Sequence, residues 1–169
     1  MRVLGIDPGT AITGWGVVEF TNGSLSSVDY GCIKTSTAQS RADRLKQIYL
    51  ALLELIAATT PDVMAIEKIF FNTNVKTALS VGQARGVCLL AAAMAGLPAY
   101  EYNTSEVKNV IAGYGRSSKT EVASRVKVLL ALEQIPRPDD VTDALAIATT
   151  HVVLTVPLRI QQQGEGDKP

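Results

Sequence analysis

The chain reads as an α/β protein: a mixed five-stranded sheet, its first three strands antiparallel, with helices on both faces. Three observations predict this. The first 33 residues hold three strand-like runs joined by tight-turn signals. Two later strand-like runs, Val63 to Glu67 and Pro98 to Tyr102, each follow a long stretch of helical period. The last third returns to helical spacing. A meander followed by alternating helix and strand gives one sheet covered on both sides.

The elements follow in order. Val3 to Asp7 is a short apolar strand, and Thr13 to Phe20 alternates as a second. Asn22-Gly23 is a strong hairpin signal, which makes Leu25 to Ile33 the third strand. Ser40 to Ala58 places Leu45, Ile48, Tyr49, Leu52, Leu53 and Ile56 at helical spacing. Val63 to Glu67 is a continuous apolar run, as in a buried parallel strand. Asn74 to Ala95 is a long helix, and Pro98 to Tyr102 is the fifth strand. Further helices are predicted over Ser105 to Ala112, Ser118 to Leu132 and Pro138 to Val153. Right-handed crossovers place the fourth strand beside the first. Residues 1–155 form one domain, and 156–169 read as a polar, flexible tail.

Composition narrows the chemistry. A length of 169 residues suits one domain with a sizeable core. A single histidine and two distant cysteines, Cys32 and Cys88, leave too few residues for a zinc site or for Ser-His and Cys-His catalysis. Both cysteines are expected as buried free thiols in a reduced compartment. The N-terminus enters a strand at once, with no secretory pattern, so the expected location is the cytoplasm. The most apolar window, Ala78 to Leu97, contains Gln83 and Arg85 and reads as a buried or interface helix rather than a membrane span. Cys88 and Met94 are expected in packing. His151 lies eight residues beyond Asp143, about 12 Å along a helix, too far to share a ligand with it and suited to the core.

The acids are more specific. Asp7 closes the first strand and Glu67 the fourth. On neighbouring parallel strands their backbones would lie about 4.8 Å apart, beyond the carboxyl ends where α/β sheets build sites. Two carboxylates held there repel, which is relieved by a raised pKa or by a divalent cation. Asp139 and Asp140 open the last helix, where capping and the helix dipole account for Asp139. Asp140 and Asp143 share a face at i and i+3. Asp143 precedes the apolar ALAIATTHVV, where capping is a poor account of it. Asp7, Glu67, Asp140 and Asp143 thus form a set of hard oxygen ligands suited to Mg²⁺ or Mn²⁺. Paired ions are the usual device for in-line phosphoryl displacement.

These motifs resemble a known family. GIDPGT near the start, AIEKIFF around Glu67, VGQARGV, and DALAIATTH after an acidic helix start are similar to the RuvC family of Holliday-junction resolvases, over about residues 1 to 155. The resemblance implies a ribonuclease H-like fold and a homodimer. It implies symmetric paired nicking of four-way DNA junctions in recombination and repair, with two Mg²⁺ or Mn²⁺ ions per site and products bearing 5′-phosphate and 3′-hydroxyl ends. It also implies a branch-migration complex of RuvA- and RuvB-type partners. By motif position the catalytic acids fall on Asp7, Glu67, Asp140 and Asp143, although the family does not always carry aspartate at the Asp140 position. In the mechanism this implies, Asp7 bridges two ions and the other three acids complete their shells.

Charge and aromatics complete the expected interface. Formal net charge is zero, with 16 basic and 16 acidic residues. Setting aside four metal ligands leaves a basic surplus for phosphate. Lys76, Arg85, Lys108, Arg116 and Lys119 are the candidate phosphate contacts; Lys108 and Lys119 also match family positions. The stretch Gly113 to Lys119 reads as a flexible basic loop that opens a helix. Lys119 is placed to stabilise transition-state charge. Of Phe70 and Phe71, one packs inward and the other stacks on an unpaired base; Phe70 matches the family's stacking position. Small residues at Val81, Gly82, Gly86 and Ala93 permit close helix packing, and the resemblance implies that they form a dimer interface. Three rivals remain at this stage: an actin-like ATPase, a non-catalytic junction-binding module, and a related nuclease acting on another nucleic acid.

Overall fold

The computed structural model describes residues 1–68 and 75–156, and in 75–77 the backbone alone. The expected tail therefore lies, from residue 157 on, outside the described residues. So do Phe70, Phe71 and the Lys76 side chain.

The sheet has the order β3-β2-β1-β4-β5. Its strands are β1 (Arg2–Asp7), β2 (Ile12–Thr21), β3 (Ser24–Lys34), β4 (Val63–Glu67) and β5 (Ala99–Tyr102). The first three run antiparallel, while β4 joins β1 and β5 joins β4 in parallel. Asn22 and Gly23 both have positive φ, 54° and 84°, as a two-residue hairpin of right-handed strands requires.

Helices α1 (Arg41–Thr59) and α2 (Val75–Met94) cover one face. There Leu4, Ile6, Val17, Met64 and Ile66 pack against Ile48, Leu52, Ile56, Ala84, Cys88 and Ala91. Helices α3 (Thr104–Ala112), α4 (Lys119–Leu129) and α5 (Asp139–Thr155) cover the other, over Val3, Val18 and Ala65. Their starts are fixed locally. Ser40 caps α1, while Asn103 with Glu106 and Ser118 with Glu121 form capping boxes on α3 and α4. The stretch read as a flexible loop is thus pinned at both ends, by the left-handed Gly113 and by the Ser118 box.

Helix α5 is the centre of the molecule. From Val141 to Val152 every residue except Asp143 is buried. Its close seat on the sheet depends on glycine. A Cβ on Gly14 would stand 2.0 Å from the Asp140 carbonyl oxygen, and one on Gly5 would stand 2.0 Å from that of Ala144. His151 is buried, with Nδ1 2.7 Å from the Tyr102 hydroxyl, which agrees with the core role expected of it.

Four expectations need correction. Cys32 is only partly buried, because edge strand β3 has no helix fully over it; Cys88 is buried and free as expected. Met94 is 67% exposed, since it ends α2 on the side facing away from the sheet. Helix α4 stops at Leu129, and Ala131 turns at a φ of 50°. Asp139 does not cap α5: Pro138 occupies that position, and the Asp139 carboxylate turns back to Arg137. Among the described residues, no helix is long and apolar enough to cross a membrane.

Candidate active site

Strand periodicity places the two strand-end acids. On β1, Val3 and Gly5 face α5, so Asp7 does too. On β4, Ala65 faces the same way, so Glu67 follows. The register pairs Ile6 with Ile66, which makes Asp7 and Glu67 the next neighbours at the open end of the sheet. Asp143 hangs over them from α5. All three line one cavity of about 340 Å³, together with Thr104, Val107, Lys108, Lys119, Val122 and Ile147.

Asp140 sits differently. Its backbone rests on Gly14, which pairs with Asp7 across the β1–β2 ladder. Its charge raises the pKa of Asp7, but its side chain does not line the cavity. Asp143 acts on both Asp7 and Glu67, so it is the more central of the two helix acids.

The electrostatics follow from crowding in a partly dry pocket. Asp7 is pushed up to about 8, first by burial and then by Glu67, Asp143 and Asp140, against a lowering by Lys119. Burial also raises Glu67, opposed by a hydrogen bond from Thr104. That bond runs from Thr104 Oγ1 to Glu67 Oε1 at 2.6 Å. It holds one carboxylate oxygen and leaves the other uncommitted to Thr104. Lys119 Nζ donates to Asp143 Oδ2 at 2.9 Å, and this contact raises the lysine pKa.

A divalent cation fits this donor set. Hard carboxylate oxygens, held ionised only at a cost, surround one cavity. Among the described residues, no three of them close on a single point. Mg²⁺ tolerates such a spread, since it usually keeps several waters and takes only one or two carboxylates alongside substrate phosphates.

The candidate phosphate contacts divide. Lys108 and Lys119 line the cavity. Arg116 is exposed on the loop before α4. Arg85 is instead turned inward: its Nη2 lies 2.5 Å from Glu101 Oε2, and its Nε donates to the Glu67 carbonyl oxygen at 3.2 Å. Thr104 was missed in the sequence. The available signal was its place at the start of α3, immediately after the strand that pairs with β4.

Comparison with known proteins decides the family. The family model for crossover junction endodeoxyribonuclease RuvC matches residues 3–151. This chain belongs to the RuvC family. The RuvC of Heliobacterium modesticaldum is 55% identical over 148 residues, covering 88% of this chain and 91% of that protein. The RuvC of Pelotomaculum thermopropionicum is 51% identical over 151 residues, covering 89% and 92%. Among solved structures, Thermus thermophilus RuvC in complex with a Holliday junction substrate superposes with a TM-score of 0.85 at 38% identity, covering 90% of this chain and 93% of that one. The yeast mitochondrial Holliday junction resolvase shares the fold, with a TM-score of 0.60 at 15% identity. Membership confirms the α/β fold read from the strand and helix pattern, the ribonuclease H-like fold that the RuvC resemblance implied, and the enzymatic class, an endodeoxyribonuclease. The actin-like and non-catalytic readings fall away.

Proposed function

We propose that this RuvC-family enzyme resolves four-way DNA junctions by paired, symmetric nicks at the cavity between β1, β4 and α5. The observation that carries this reading is the meeting of Asp7, Glu67 and Asp143 with Lys108 and Lys119 in one cavity. Acids alone would repel DNA, and lysines alone would bind it without cutting it.

Asp7, Glu67 and Asp143 would hold two Mg²⁺ or Mn²⁺ ions, with Asp140, whose side chain does not line the cavity, contributing from beside Asp7. When bound, such ions activate water and neutralise charge on the departing 3′-oxygen. Around them the chain's own residues have separate tasks. The Asp7 carboxyl gives up a proton before it can act as a ligand at neutral pH. Thr104 orients Glu67 through Oε1. Arg85, tied to Glu101, steadies the end of β4 through the Glu67 carbonyl. Lys119 faces the phosphoryl group and stabilises the charge that develops there. Lys108, Arg116 and Lys76 would contact neighbouring phosphates, and Phe70 or Phe71 would stack on a base at the crossover.

Paired nicks need two sites, so the working unit is a homodimer. The free face of α2 supports this. Leu79, Leu90 and Met94 are 58%, 52% and 67% exposed on it, and a side chain at Gly86 would meet open space. Junctions would be delivered by RuvA- and RuvB-type partners in the cytoplasm.

The test is cleavage of a synthetic four-way junction beside a matched duplex, with Mg²⁺, Mn²⁺ or EDTA. Metal-dependent nicks in two opposed strands, with the duplex spared, are expected. Equal cutting of the duplex would overturn the junction assignment.

A further inference from the structure

A second, smaller cleft lies across the Lys119–Asp143 ion pair from the carboxylate cavity. Its volume is about 90 Å³, and Lys119, Thr120, Ile135, Arg137, Asp139 and Asp143 are among its walls. The two cavities share Lys119 and Asp143, so that ion pair is the partition between them.

Arg137 is the distinctive group here. Its guanidinium pairs with the Asp139 carboxylate, and the two side chains are 76% and 59% exposed. An exposed pair of this kind contributes little and exchanges readily. Arg2 and Arg85 behave differently. Each is tied to a glutamate and also donates to a backbone carbonyl, so both are fixed. Arg137 has no second anchor among the described residues.

A strand that sets one phosphate over the carboxylates carries another at the next nucleotide. The small cleft adjoins the carboxylate cavity, sharing Lys119 and Asp143 with it. It is lined by Arg137, whose forked donors match two phosphate oxygens, together with Lys119 and Thr120. In the free protein, one Asp139 carboxylate oxygen occupies Arg137 Nη1, as a phosphate oxygen would.

We propose that Arg137 seats the phosphate next to the cleaved one, releasing Asp139 to do so. The ligand of the small cleft is thus a phosphodiester of the substrate strand. This rests on reading the larger cavity as the cleavage site.

The test is junction binding in EDTA across a salt series, using the full chain. Arg137→Ala should weaken binding about tenfold and reduce the salt slope by about one. Arg137→Lys should keep the slope with part of the affinity. Asp139→Asn should tighten binding, because it frees the fork. Two further junctions carry one neutral methylphosphonate linkage, either 5′ or 3′ of the scissile phosphate. One of them should cost the natural protein about as much as Arg137→Ala does, and should cost that variant nothing more. Unchanged affinity and slope in Arg137→Ala would overturn the proposal. So would weaker binding by Asp139→Asn, or full additivity of Arg137→Ala with both neutral linkages. Asp7→Asn is assayed alongside: if it still cleaves, the reading of the larger cavity fails, whereas a failure confined to the Arg137 and Asp139 variants overturns this proposal alone.

Discussion

The Asp7 carboxyl is pushed up to about 8 by burial and by three neighbouring acids, so between pH 4 and 8 the folded, metal-free protein holds a proton that the unfolded chain has released. The stability this proton provides is complete below pH 4 and is lost as pH rises toward 8. Asp7→Asn removes the liability. It is expected to abolish cleavage and to leave junction binding intact. In EDTA above pH 8 it should stabilise the fold by about 2–4 kcal/mol, a gain that shrinks to nothing near pH 4. Thermal unfolding at several pH values, with and without Mg²⁺, checks it. A gain that is independent of pH would break the argument. Thr104 gives a second prediction at this scale. Thr104→Val deletes the bond to Glu67, so metal affinity measured by calorimetry should fall about tenfold, with Thr104→Ser restoring it. If Val and Ser behave alike, the hydroxyl has no such role. Asp7 was legible in the sequence because an acid ending a buried strand needs an explanation. Thr104 was not, because its role depends on the β4–β5 register, and a threonine at a helix start is common.

At the scale of elements, α5 decides whether the site exists. Its N-terminus carries Asp140 and Asp143 to the strand-end acids only because Gly14 and Gly5 let it lie close to the sheet. Gly14→Ala would place a methyl group 2.0 Å from the Asp140 carbonyl oxygen, so the helix start must lift. About 1–3 kcal/mol of stability should be lost, with cleavage reduced more than junction binding. Denaturant unfolding beside a cleavage assay measures both, and an unaltered cleavage rate would show that the helix tolerates the shift. Strand and helix positions were readable, because periodicity and the Asn22-Gly23 turn are local signals. The course of individual side chains was less so. Arg85 read as a phosphate contact, but the fold brings Glu101, on strand β5, to it as an ion-pair partner. Asp139 looked like a cap, but Pro138 already stood in that position.

For the whole molecule, the two faces of the sheet have different work. The α3–α4–α5 side builds the site, while the α1–α2 side buries a core and leaves an apolar strip on α2. The resemblance already implied an interface on this helix at Gly86 and Ala93, both exposed, but the large apolar residues beside them could not be picked out, because α2 is apolar on nearly every side. The strip's exposure argues for a second copy: Leu79, Leu90 and Met94 lie on one face with Gly86 between them, and the glycine leaves room for close approach. Leu90→Asp puts a charge into that strip while touching little of the protomer, so monomer stability should stay within about 0.5 kcal/mol. Sedimentation should report a dimer for the natural protein and a monomer for this variant. A cruciform-bearing plasmid separates the functional consequence. A dimer that nicks both strands in one encounter yields linear DNA, whereas a monomer that nicks one strand and departs yields relaxed circles. Leu90→Asp should therefore shift products from linear to nicked-circular, with its metal requirement unchanged. Linear product from a protein shown to be monomeric would mean that coordination does not need this face.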